Sequence, residues 1–321
     1  MSGQGLLLFV LRRLVVLALL LVLISFVTFS LLYISPGNVI DILLGARPHT
    51  AATVRALTRE YNLNRPFMLQ YLLWARQAVQ MHFGNSIQTS LPVTSEIGAR
   101  LPLSLFLGIY SFVLTMVFGI GLGVASALRR GRLVDRALTG GVMLGLSTPA
   151  FVAGVALLYV FAIRVHWFPA YGVGSGFLDE LWHLTLPAAA LAVTTVAYVM
   201  NHTRTAMIGT LDQDYVVFAR ARGLSSRRVL YVYLLRNALI PVITISGVVL
   251  SSLIVGVVLV EVAFSLPGLG SLLVTAATAK DIPVLQGVVL LFAVVIVVAN
   301  LLADVIYMVV DPRIRVGRRS T

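Results

Sequence analysis

Residues 101–128 read LPLSLFLGIYSFVLTMVFGIGLGVASAL, residues 129–136 RRGRLVDR, and residues 137–163 ALTGGVMLGLSTPAFVAGVALLYVFAI. Two stretches without one Asp, Glu, Lys or Arg flank a short turn that holds four arginines. A bilayer is crossed by about 20 mainly apolar residues rising about 1.5 Å each. Each stretch therefore predicts a transmembrane helix, and the short turn makes the pair adjacent and antiparallel. Outward from here the same absence of charge recurs at 14–40, 184–203, 237–260 and 282–303. The expected fold is an all-α membrane protein with six transmembrane helices. Composition agrees: 59% of the 321 residues are hydrophobic and 11% charged, where soluble proteins carry about 25% charged residues. A water-soluble globule is excluded.

The charges that remain are sorted by side. A formal net charge of +12 would point to nucleic acid in a soluble chain; in a membrane protein it is a topology signal, and no nucleic-acid partner is expected. With the N-terminus inside and six crossings, the inside segments collect Arg12 and Arg13, Arg129, Arg130, Arg132 and Arg136, the six arginines from Arg204 to Arg236, and Arg313, Arg315, Arg318 and Arg319. Their acids are Asp135, Asp212, Asp214 and Asp311. All the excess positive charge then lies on the cytoplasmic side, as the positive-inside rule requires, and both termini are expected there. Residues 262–279 are also free of charge but contain Pro267, Gly268 and Gly270. A seventh span at that place would carry the C-terminal arginines outside, so an outer loop or re-entrant turn is expected. The first apolar run exceeds the roughly 7–15 residues of a signal peptide and no Ala-x-Ala site follows it, so it is expected to remain as a span. The chain has 0 cysteines, which excludes disulfides and thiolate metal sites.

The expected organisation is a cytoplasmic N-terminus and first span over 1–34, an extracytoplasmic segment over 35–100, a five-helix core over 101–310, and a basic cytoplasmic tail over 311–321. The first span should end at Ser35, Pro36 and Gly37. In the outer segment, Asn64 followed by Pro66 signals a helix start. Phe67, Leu69, Tyr71, Leu72, Trp74 and Val79 interleave with Gln70, Arg76 and Gln77, which predicts an amphipathic helix on the outer surface or on the other spans.

Within the core, 209–238 is too long for a simple turn. Residues 212–222 have helical composition, Gly223 suits the left-handed residue that ends a helix, and Ser225 or Ser226 can cap the next one, which feeds Pro241 at the mouth of the fifth span. Such a corner fits a cleft in another protein, or rests as a basic amphipathic pair on anionic lipid; the residues alone leave both open. Gly119 and Gly123, like Gly141 and Gly145, have the small-xxx-small spacing that lets helices approach in lipid. Pro149 predicts a kink in the third span, because proline removes a ladder donor, and Pro149 and Pro241 are the hinge candidates. Two acids fall in spans, where a carboxylate is costly: Glu261 near the outer end of the fifth, and Asp304 toward the inner third of the sixth, one turn after Asn300.

Several chemistries are missing. A P-loop needs Gly-x-x-x-x-Gly-Lys-Ser/Thr, and the one lysine, Lys280, is followed by Asp281. The histidines, at 49, 82, 166, 183 and 202, form no His-Glu-x-x-His and no pair four apart, so no metal site is expected. The Gly-x-Ser-x-Gly spacing is not met around Ser175. No catalytic residue and no cofactor are expected in this chain. An ion-driven secondary carrier remains an alternative, and it would transport in liposomes without ATP; an intramembrane enzyme is argued against by the missing constellations.

The chain as a whole resembles the B-type permease subunits of bacterial ABC importers for dipeptides, oligopeptides and nickel. The blocks that carry the resemblance run in order: LYISPG at 32–37, LNRPFMLQYLL at 63–73, FGNS at 83–86, ALRRGRLVDR at 127–136, WFPAYG at 167–172, DYVVFARARGL at 214–224, RNALIP at 236–241, FSLPGLG at 264–270 and DPRI at 311–314. The resemblance implies a type I importer permease in the bacterial inner membrane. It implies that Ala219, Arg220, Ala221, Arg222, Gly223 and Leu224 form a cytoplasmic coupling segment that docks into an ATPase. The implied partners are a second, similar permease, two ATPase subunits or one fused ATPase that would hold ATP and Mg, an extracytoplasmic solute-binding protein, and membrane lipid. Dipeptide, longer peptide, nickel and haem cargo all stay open. Where the broader importer signature has Glu-Ala-Ala, this chain has Val217, Phe218 and Ala219.

Overall fold

The computed structural model describes residues 3–34, 37–45 and 50–310, with the side chains of 3–10 and 306–310 left out. Ser35, Pro36 and the basic tail at 311–321 lie outside the described residues. Helices make up the fold. In chain order they are α1 (Gly3–Ile34), α2 (Val39–Leu44), α3 (Ala51–Glu60), α4 (Phe67–Val79), α5 (Val93–Leu128) and α6 (Leu133–Ser147). Then come α7 (Ala150–Leu157), α8 (Phe177–Leu211), α9 (Asp214–Ala221), α10 (Ser226–Arg228), α11 (Arg236–Ala263), α12 (Leu269–Thr278) and α13 (Ile282–Val310). Two π-helical turns, Leu158–Arg164 after α7 and Val229–Leu235 before α11, extend their neighbours.

Among the described residues, five helices are long and apolar enough to cross a membrane, and the number is six if the bent pair of α6 with α7 and its π-helical turn counts as one span. That pair is no gentle kink: its two halves meet at 109°. The cause is local. A residue before proline is driven out of the helical region, and Thr148 sits at φ −99°, ψ 115° ahead of Pro149, whose carbonyl starts the next helix. Residues 262–279 form no span; they turn at Ser265, which has φ +52°, and then form the ten-residue α12.

The chain divides into two compact units. In the first, residues 105–266 with 298 onward, α8 packs against α6, α7 and α11 and is the most buried of the long helices. Small side chains allow this. Ala188, Ala190, Ala192 and Ala197 are all buried on α8, and Gly119 and Gly123 bring α5 against Val199 and Thr203. Gly145 likewise meets Ala197, but Gly141 faces open space, so of that second glycine pair only one member serves packing.

In the other unit, residues 2–104 with 267–297, α4 lies along α1. Gln70 and Tyr71 are buried while Met68 and Leu72 are exposed. Tyr71 meets Ser25 through an oxygen pair at 2.8 Å, and Tyr33 donates to Gln70. Phe26, Phe29 and Tyr33 of α1 interleave with Phe67, Tyr71 and Trp74 of α4. Arg76 and Gln77 are exposed as well, so the outward face of α4 is mixed in polarity. The stretch after α4 folds back through one antiparallel bridge, Asn85 to Pro92. The buried Asp281 accepts hydrogen bonds there from Ser86 Oγ at 2.5 Å and the Gln88 N–H at 3.1 Å.

Candidate docking surface and its framework

The eight-residue α9 is held by two side chains one turn apart. Val216 and Ala219 are buried in a cluster with Met207 of α8, Val229 and Leu234 of the following π-helical turn, Ala127 and Ala238. Opposite them the helix is bare. Tyr215, Val217 and Phe218 are exposed, Phe218 by 67%, and Arg220, Ala221 and Arg222 continue the exposed surface. The chain then turns sharply. Gly223 takes φ +73° and its N–H bonds the Arg220 carbonyl at 2.9 Å, while the Leu224 N–H reaches Ala219. A Cβ on Gly223 would meet nothing, so the demand for glycine is conformational rather than steric. Ser225 caps the next helix through the Arg228 N–H, and Arg227 and Arg228 stay exposed. What results is an exposed apolar face with Asp212 and Asp214 before it and Arg220, Arg222, Arg227 and Arg228 after it.

Of the residues singled out in the sequence, Ala219 faces inward, Arg220, Ala221, Arg222 and Gly223 face outward, and Leu224 is half-buried. Phe218 and Tyr215 belong to the same surface and were visible as outward positions once Val216 and Ala219 are read as the inward pair of a short helix. Pro149 begins α7, and Pro241 lies exposed inside α11. Just before it, the Asn237 side chain donates to the Tyr233 carbonyl at 2.9 Å, satisfying a backbone group where the π-helical turn gives way to α-helix. Glu261 is wholly buried near the end of α11, and Asp304 sits half-buried in α13. Neither belongs to the surface around α9. Among the described residues no group of three or more His, Asp or Glu is placed to hold a metal ion. A cavity of about 550 Å³ is bordered by Tyr33 of α1, Gln70 and Trp74 of α4, and Gln80 and His82.

An ionic cluster lies at the start of α6. Asp135, at the start of α6, accepts from Arg204 Nε at 2.7 Å and Nη2 at 2.9 Å, from Ser126 Oγ at 2.6 Å and from the Gly131 N–H at 2.9 Å. In the sequence these charges are separated by 69 positions and are indistinguishable from topology signals. On the exposed side, Arg130 lies 3.4 Å from Asp212 at the corner before α9.

Residues 119–316 match the family described as binding-protein-dependent transport system inner membrane component, and residues 6–108 match its N-terminal counterpart. The chain belongs to this family. It is a permease of an ABC importer, set in the inner membrane, and this membership replaces the alternative of an ion-driven carrier. Among its relatives, the oligopeptide transport system permease AppB of Bacillus subtilis is 39% identical over 297 residues, covering 91% of this chain and 94% of the relative. A probable peptide ABC transporter permease of Sinorhizobium fredii is 35% identical over 310 residues, covering 96% and 99%. The methionine ABC transporter MetNI, solved in inward-facing conformations, aligns with 67% of this permease and 96% of its own chain at a TM-score of 0.55 and 17% identity. That likeness shows the fold.

Proposed function

We propose that this permease moves small peptides inward, forming half of a passage whose other half is a second, similar permease. An extracytoplasmic solute-binding protein delivers the cargo, and ATP with Mg is bound and hydrolysed by separate or fused ATPase subunits that dock on α9 and the corner at Gly223. The peptide substrate is supported by the names that the two relatives carry. The docking role rests on one observation: α9 is anchored by Val216 and Ala219 and offers Tyr215, Val217 and Phe218 outward, followed by the exposed Arg220 and Arg222. An exposed aromatic beside Arg is the composition of an interface anchor. Both termini and α9 are assigned to the cytoplasm by the distribution of arginines.

The test is capture of the ATPase subunits by the membrane-inserted permease. Phe218→Asp should weaken capture at least tenfold, about 1.4 kcal/mol, with insertion unchanged. Uptake of labelled trialanine into proteoliposomes should require ATP. A Phe218→Asp complex that assembles and transports normally removes α9 from the docking role.

A further inference from the structure

The Asp135 carboxylate is 4% exposed and its four hydrogen bonds come from three different places. Ser126 lies in the last turn of α5, Gly131 in the basic turn, and Arg204 in α8. A guanidinium that grips a carboxylate with two bonds sets an angle as well as a distance. Because the remaining acceptor sites are also filled, the buried charge is compensated. The end of α5, the start of α6 and the body of α8 are therefore fastened at one point.

From Arg204 the helix runs unbroken to Leu211. Met207, one turn on, is wholly buried in the cluster that seats Val216 and Ala219 of α9. Arg130, in the same turn as Gly131, closes the outer side on Asp212. Between the exposed face of α9 and Asp135 every link is packed or hydrogen-bonded.

We propose that Asp135 and Arg204 are positioning residues for energy coupling: they lock α5, α6 and α8 to α9 so that displacement of the docking helix becomes displacement of the spans. This rests on the reading of α9 as the docking element. The role differs from simple stabilisation, because a coupling lock governs what the spans do after ATP binds, whereas a stabilising pair governs only whether the fold persists.

The chain has 0 cysteines, so spin labels at introduced cysteines report on chosen positions alone. Leu144 of α6 and Val255 of α11 are both exposed and touch neither member of the pair. In the assembled transporter, the Leu144–Val255 distance distribution should shift when Mg-ATP and vanadate are added. In Asp135→Asn and Arg204→Gln complexes the shift should vanish while ATP hydrolysis stays within about twofold of the parent. Arg204→Lys, which keeps the charge and loses the fork, should fall between. A shift of parental size in the single variants overturns the proposal. So does failure of the single variants and of the Asp135→Asn/Arg204→Gln double variant to assemble, since the pair would then only hold the fold. Loss of the docking role itself would show separately, as unchanged ATPase capture by Phe218→Asp.

Discussion

Gly123 on α5 stands so close to Thr203 on α8 that a Cβ added to it would lie 2.6 Å from the threonine Cβ. No side chain fits at that separation without moving one of the helices, and the Met200 carbonyl at 2.8 Å closes the other side. Gly119, one turn earlier, is equally tight against Val199. Gly121, on the same helix, meets nothing. Gly123→Val should therefore cost about 1–3 kcal/mol by overpacking, read as a lowered midpoint of thermal unfolding in detergent. Gly121→Val should leave the midpoint unchanged. Equal effects at both positions would mean that α5 and α8 do not meet along this line.

The two faces of α9 predict opposite outcomes for neighbouring substitutions. Phe218→Ala removes an exposed ring and should leave thermal stability within about 0.5 kcal/mol, as for surface changes away from special features, while weakening ATPase capture. Ala219→Leu forces a larger side chain into the cluster with Met207 and Val229 and should lower stability first. Arg220→Glu with Arg222→Glu should weaken capture more at low salt than at high salt, because exposed charges are screened beyond about 10 Å at 0.1 M. Capture measured at two salt concentrations, alongside unfolding midpoints, separates the three cases.

Asp281 predicts a local effect far from α9 in sequence. Its carboxylate gathers Ser86 Oγ, the Gln88 N–H and, at 3.4 Å, the Val284 N–H, so the turn at 84–92 is tied to the start of α13. A hydrogen bond to a charged group contributes about 1.5–3 kcal/mol. Asp281→Ala should raise amide exchange across 85–92 by at least tenfold and leave residues 190–200 of α8 as protected as before. Uniform loss of protection would show that Asp281 supports the whole fold instead.

The spans could be read from the sequence because one physical rule, the cost of charge in hydrocarbon, dominates everything else there. The charge-free run at 101–128 lies inside a longer helix that begins at Val93 and takes in Glu96 and Arg100, one turn apart at 3.5 Å. The helix of the outer segment was recognisable from its start signal and periodicity, but which face turned inward was not. Gln70 is buried with its amide donating to the Arg65 carbonyl at 2.7 Å and accepting from Tyr33 of α1, and that second partner, 37 residues away, leaves no local trace. The corner at Gly223 was legible for the converse reason, being decided by glycine and serine within a few residues. Asp135 and Arg204 were counted correctly as charges and missed as a pair, since pairing is settled by how α6 and α8 pack.

The break at Thr148 and Pro149 sets local preference against tertiary packing. Proline drives Thr148 out of the helix, which alone would allow many bend angles. The angle itself is held by contacts within the unit. The Thr194 hydroxyl donates to the Thr148 carbonyl at 2.9 Å, and Gly154 of α7 lies where a Cβ would be 3.0 Å from Phe264 and 3.4 Å from Ala190. Packing wins if the bend outlasts the proline. Pro149→Ala returns one N–H and should leave the distance between spin labels at Leu146 and Tyr159 unchanged, with a small loss of stability at most. Gly154→Leu should push α7 away from α8 and α11 and broaden that distance distribution even with Pro149 in place. A label pair that straightens in Pro149→Ala would show instead that the proline, and not the contacts of Thr148 and Gly154, sets the shape of the third span.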